Sequence, residues 1–99
     1  WAAIEQVEGK ADALALDGLM PFYGIPHVAI DHVPVRLALP TGRLRGNAHG
    51  YTCFMVESFI DEVAQRHGQE PLSFRVAMLG DDPRMVACLQ AAARAAQWG

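Results

Sequence analysis

The 99-residue sequence predicts an α+β segment, with an N-terminal helix, a bent β-strand or hairpin region, and then a helical layer. Three observations predict it. Apolar residues alternate through Val33, Val35, Leu37 and Leu39, a period of two. From about residue 48 that pattern gives way to long apolar runs with helical spacing. Glycine and proline then punctuate the remainder at Gly68, Pro71, Gly80 and Pro83.

In chain order, residues 2–16 place Ile4, Val7, Ala11, Leu14 and Ala15 at helical spacing, weakened by Gly9 and ended by Asp17-Gly18 and Pro21. From Tyr23 to Leu39 the alternation changes phase between Ile30 and Val33, so a bulge or bend is expected at Asp31–His32. Pro26, Pro34 and Pro40 lack a donor for a ladder and point to edge positions or strand ends. A helix is expected over about 48–67, apolar nearly all round in its first half and stopped by Gly68. The run of aromatic residues and methionine from Tyr51 to Phe59 is read as core, and Glu57, inside it, needs a partner such as Arg43, Arg45 or Arg75. Pro71 starts a second helix over 71–79. Asp82-Pro83 caps and starts a third over 83–97, with Met85, Leu89, Ala92 and Ala96 on one face.

Composition narrows the function classes. The net charge of −3 argues against nonspecific nucleic-acid binding, which needs a basic face. No apolar run reaches the length of a membrane span. A hydrophobic fraction of 52% on so short a chain implies that more protein, or a second copy, covers part of its surface. With Trp1 at its start, the chain reads as an excised or truncated piece. Cys53 and Cys88 fit no Cys-x-x-Cys pattern and read as buried free thiols. The four histidines do not close a metal site: His49 and Cys53 could share a helix face, but two ligands are too few.

The loop from Pro40 to Gly50 carries the clearest chemistry. Arg43 and Arg45 offer charge-assisted donors, Gly42, Gly46 and Gly50 allow close approach of a ligand, and a helix start follows. Together they suit an anion. Asn47 is expected to cap the helix, and His49 lies close enough to face the same space.

Leu44-Arg45-Gly46, Glu57-Ser-Phe-Ile-Asp-Glu62, Ala64, Gly68, Pro71, Phe74-Arg75 and Gln97-Trp98-Gly99 occur in one order and spacing. That ordered set resembles the large, molybdenum-binding subunit of the molybdenum hydroxylases, the xanthine dehydrogenase and aldehyde oxidase family, and within it the branch of isoquinoline 1-oxidoreductase beta subunits. The resemblance covers about Tyr23 to Gly99. It implies that residues 1–99 are one segment of a larger molybdopterin-binding domain, and that Leu44, Arg45 and Gly46 line the cofactor pocket. Asn47 and His49 become candidates for the substrate pocket, although Asn47 replaces a phenylalanine that stacks on aromatic substrates in the xanthine dehydrogenase branch. The implied cofactor is a molybdenum–molybdopterin, in its cytosine dinucleotide form, held by its dithiolene rather than by histidines. The implied partners are the remainder of the large subunit, an iron–sulfur subunit or domain, and a small-molecule substrate. No catalytic residue is expected here, because the family's base glutamate lies in a later part of the subunit. Glu57 is then a structural carboxylate, and the isolated chain is expected to be inactive and free of cofactor. Two readings from other classes stand beside this one, a small interaction module and an anion-binding domain using Arg43 and Arg45. The compartment, cytoplasmic or periplasmic, is left open.

Overall fold

The computed structural model describes residues 12–35, 37–40, 42 and 44–99. The expected N-terminal helix lies largely outside those residues, as do Arg36, Thr41 and Arg43. Among the described residues there are three helices and no strand: α1 (His49–Arg66), α2 (Pro71–Met78) and α3 (Pro83–Ala95). The α+β expectation is therefore corrected to an all-helical arrangement with irregular chain before it. From Val33 to Leu39 the described residues form no ladder, and Val33, Val35, Leu37 and Leu39 are 80%, 73%, 66% and 70% exposed. Period-two alternation describes a face, but a strand exists only when a second strand takes up its N–H and C=O groups. No other described stretch offers that partner.

The described chain forms two compact units. The first contains residues 12–20 and 29–56, the second residues 21–28 and 57–99, and α1 contributes to both. In the first, Ala48 and the first turns of α1 pack under the turn Asp12–Gly18. Thr52 is 1% exposed, and its hydroxyl donates to the carbonyls of Asp17 (2.8 Å) and Ala48 (2.9 Å). A Cβ on Gly18 would lie 2.7 Å from the His49 ring, and φ there is +81°. Glycine is what lets the turn approach this closely. The predicted bulge at Asp31–His32 is instead a side-chain contact, the Asp12 N–H donating to His32 Nδ1 at 3.2 Å.

In the second unit, Ile60, Ala64 and Leu79 are buried. Helix α1 ends through Gly68 at φ +64°, where the Gln69 N–H returns to the Ala64 carbonyl at 2.9 Å. This is the left-handed C-terminal stop expected of Gly68. Glu70 caps α2, its carboxylate accepting from the N–H groups of Leu72 and Ser73. Asp82 caps α3 through Met85 N–H.

Two further expectations change. The first half of α1 is not buried on several sides: Tyr51, Phe54, Met55 and Phe59 are exposed, Thr52 is the buried residue there, and Ile60 and Ala64 are buried in the second half. Cys53 and Cys88 are free and exposed rather than buried.

Candidate functional site

The loop before α1 turns twice without β-structure. Asn47 N–H donates to the Leu44 carbonyl (3.0 Å) and His49 N–H to the Gly46 carbonyl (3.1 Å). Gly46 sits at φ +92° and Asn47 at φ +48°. Asn47 is thus a left-handed turn residue, a conformation asparagine tolerates, rather than the extended N-cap that its sequence position suggests.

These turns form one side of a cavity of about 490 Å³, and the turn beginning at Asp12 forms another. Leu44, Arg45, Gly46 and Asn47 all line it. The structure therefore brings four of the five candidate residues to one place. His49 is not on the lining: its Nδ1 lies 3.4 Å from Asp17 Oδ2, an ion pair when the imidazole is protonated. Arg43 falls outside the described residues. Arg45 is exposed, and no carboxylate pairs with it among the described residues. Nothing lies within 4 Å of a Cβ built on Gly42, Gly46 or Gly50, so the backbone there is open to close approach. A cationic fork beside bare backbone is a donor set suited to an anionic, phosphate-bearing group. Among the described residues no three of His, Cys, Asp or Glu come together as a directly ligated metal would require.

The sequence missed Tyr51 as a lining residue. The apolar run it belongs to predicts a core residue, yet it is 50% exposed and lines the cavity, with its hydroxyl donating to the Ala15 carbonyl at 2.5 Å. Helical spacing could not have found it, since α1 begins at His49, after the left-handed turn at Asn47.

Glu57 belongs to the second unit. Arg75 donates from Nε to Glu57 Oε2 at 3.0 Å and from Nη1 to Asp61 Oδ1 at 2.6 Å. It also reaches the Glu57 carbonyl at 3.1 Å. Tyr23 donates its hydroxyl to Glu57 at 2.8 Å and accepts from Arg75 Nε at 3.1 Å. Burial, and then the neighbouring Glu57 carboxylate, pushes the Tyr23 phenol up to about 12. The Arg75 guanidinium is held above its ordinary range by Asp61 and Glu57, which outweigh the opposing effect of its burial. Of Arg45 and Arg75, the two described arginines considered as partners for Glu57, Arg75 is the one that pairs with it. A carboxylate so engaged is a structural anchor and a poor general base.

The chain is similar to the beta subunit of isoquinoline 1-oxidoreductase from Brevundimonas diminuta. The two are 31% identical over 81 residues, which is 82% of this chain and 10% of that subunit. The chain thus spans about a tenth of the length of the relative it matches. No family model and no solved structure matches the chain. Among the described residues no helix is long and apolar enough to cross a membrane.

Proposed function

We propose that this chain is a segment of the molybdenum-cofactor-binding subunit of an oxidoreductase that hydroxylates an N-heterocycle or an aldehyde carbon with oxygen from water. The supporting observation is the cavity itself, lined together by Leu44, Arg45 and Gly46 in a chain whose similarity to an oxidoreductase subunit covers 82% of its length. Arg45 would hold the anionic part of a molybdenum–molybdopterin in its cytosine dinucleotide form. Gly46 would let the backbone approach that group, and Leu44 would exclude water from one side. The cofactor, when bound, supplies the redox centre. The residues of this chain only bind and orient, since the base glutamate of such enzymes lies elsewhere in the subunit. Electrons would leave through iron–sulfur clusters on a partner subunit or domain.

The reading frame around this segment tests the proposal. A frame that runs on into glycine-rich pterin-binding loops and a later base glutamate supports it, whereas start and stop codons directly flanking residues 1–99 overturn it. Turnover of an aldehyde or N-heterocycle by the isolated chain would also overturn it.

A second reading, an interaction module, is favoured by Phe54 and Phe59, exposed at 70% and 64% on α1. It predicts that the isolated chain self-associates, and that Phe54→Ser with Phe59→Ser renders it monomeric.

A further inference from the structure

We infer that the cavity among α2, α3 and the second half of α1 binds a small aliphatic amine, held as its ammonium ion between Asp61 and Trp98. This cavity lies wholly within the second compact unit and shares no lining residue with the loop cavity. Its volume of about 440 Å³ is that of an ordinary small-molecule site. Leu72 of α2, with Leu89, Ala92 and Ala96 in and just after α3, makes the walls apolar, and the alanines leave room between them. Trp98 also lines the cavity and is fastened there. Gln97 turns left-handed at φ +53°, the Trp98 N–H returns to the Ala93 carbonyl at 2.9 Å, and the indole N–H donates to Glu70 Oε1 at 2.9 Å. With its N–H spent, Trp98 offers a ligand only ring surface, and indole is the best aromatic face for a cation. The polar groups on the lining favour the same sign. Arg75 directs Nε to Glu57 and Tyr23, Nη1 to Asp61 and the Pro71 carbonyl, and Nη2 to the Glu57 carbonyl, so it is no open receptor for an anion. Asp61 is 48% exposed and meets Arg75 through Oδ1, while its Oδ2 accepts nothing among the described residues. Two carboxylates, Glu57 and Asp61, share one guanidinium and leave a negative charge over. An ammonium group carries three donors and no acceptor, which suits a free carboxylate oxygen near an indole face. The apolar walls then take the aliphatic body out of water.

Titration of the 99-residue chain with cyclohexylammonium, and separately with cyclohexanol, followed by two-dimensional NMR at constant ionic strength, tests this. The two probes have nearly the same shape and differ in charge. Cyclohexylammonium is expected to shift the Trp98 indole N–H and the amides of Leu72, Leu89 and Ala92 saturably. It should bind about three- to thirtyfold more tightly than cyclohexanol, the worth of an exposed ion pair and a cation–π contact together. Asp61→Asn should weaken cyclohexylammonium binding about two- to fivefold and leave cyclohexanol unaffected. Ala92→Leu, at an exposed position, should fill the space and abolish saturation by both probes. Absence of saturable shifts with cyclohexylammonium would overturn the site. Equal affinity for the two probes would overturn the amine as its ligand, and unchanged affinity in Ala92→Leu would overturn its location. If Asp61→Asn fails to fold, the comparison of the two probes on the wild-type chain still decides the charge.

Discussion

Arg75 closes on Glu57 at two levels, side chain to side chain at 3.0 Å and guanidinium to backbone carbonyl at 3.1 Å. With Asp61 on Nη1 and Tyr23 on Nε, one guanidinium ties the second half of α1 to α2 and to the segment before Gly24. Arg75 is 12% exposed, while its two carboxylate partners are 40% and 48% exposed, so water moderates each pair.

Replacing Arg75 with leucine should destabilise the chain by about 1–3 kcal/mol, because Glu57 and Tyr23 lose a shared partner at a half-buried place. Urea unfolding followed by circular dichroism checks this. A loss smaller than that of an ordinary surface substitution would show that the cluster is ornamental. Arg75→Lys should recover only part of the loss, since an ammonium lacks the planar fork.

Tyr23 sets an upper pH limit. Its folded-state value is pushed from 10.0 to about 12, so the folded form binds more protons than the unfolded one between those values. Its contribution is complete below pH 10 and is lost as pH rises toward 12. Ultraviolet phenolate titration should show one late tyrosine that disappears in Tyr23→Phe, and that variant should flatten the alkaline fall in stability.

Glu70 works at the opposite end of the scale. The N–H of Leu72, the indole of Trp98 and the N–H of Ser73 hold its carboxyl down at about 2, from 4.5. A lowered value means that its contribution is present above 4.5 and fades as pH falls toward 2. Since Trp98 Nε1 donates to Glu70 Oε1 at 2.9 Å, Trp98 emission should change over that window. Glu70→Ala, in a Trp1→Phe background, should remove the change and fray the start of α2.

Gly18→Ala combines a left-handed backbone at φ +81° with a Cβ 2.7 Å from the His49 ring and 3.0 Å from Thr52 Oγ1. The ring can swing outward, but the buried hydroxyl cannot. A cost of about 1–3 kcal/mol is expected from the conformation and the crowding together. Thermal unfolding measures it, and an unchanged midpoint would mean that the turn shifts freely.

Arg45→Ala should leave the unfolding midpoint nearly unchanged, because Arg45 is exposed and pairs with no carboxylate among the described residues. The same variant should abolish phosphate shifts at Gly46. Retained shifts would remove Arg45 from the site.

Local signals were legible where the chemistry is local. Gly68 as a left-handed stop, Pro71 at a first turn and Asp82 as a cap each depend on a few neighbouring residues, and each is found in place. The grouping of Leu44, Arg45, Gly46 and Asn47 was legible for the same reason, since they are consecutive. Alternation from Val33 to Leu39 misled because strand formation is a property of two segments, and one chain segment cannot report whether its partner exists. Burial of the α1 rings and of the cysteines misled too: an apolar run states what could be buried but not which part of the helix meets another element.

The sequence by itself thus determined the three helices, the stop at Gly68, the start at Pro71, the cap at Asp82, and the cationic glycine-bearing loop. Only the tertiary structure decided that Arg75 rather than Arg45 takes Glu57, and that Tyr51 turns from core residue to cavity wall. Both decisions join residues far apart in the chain, Glu57 with Arg75 and Tyr51 with Ala15. Such pairings depend on how elements pack, and packing sums many weak contacts that no single stretch of sequence contains.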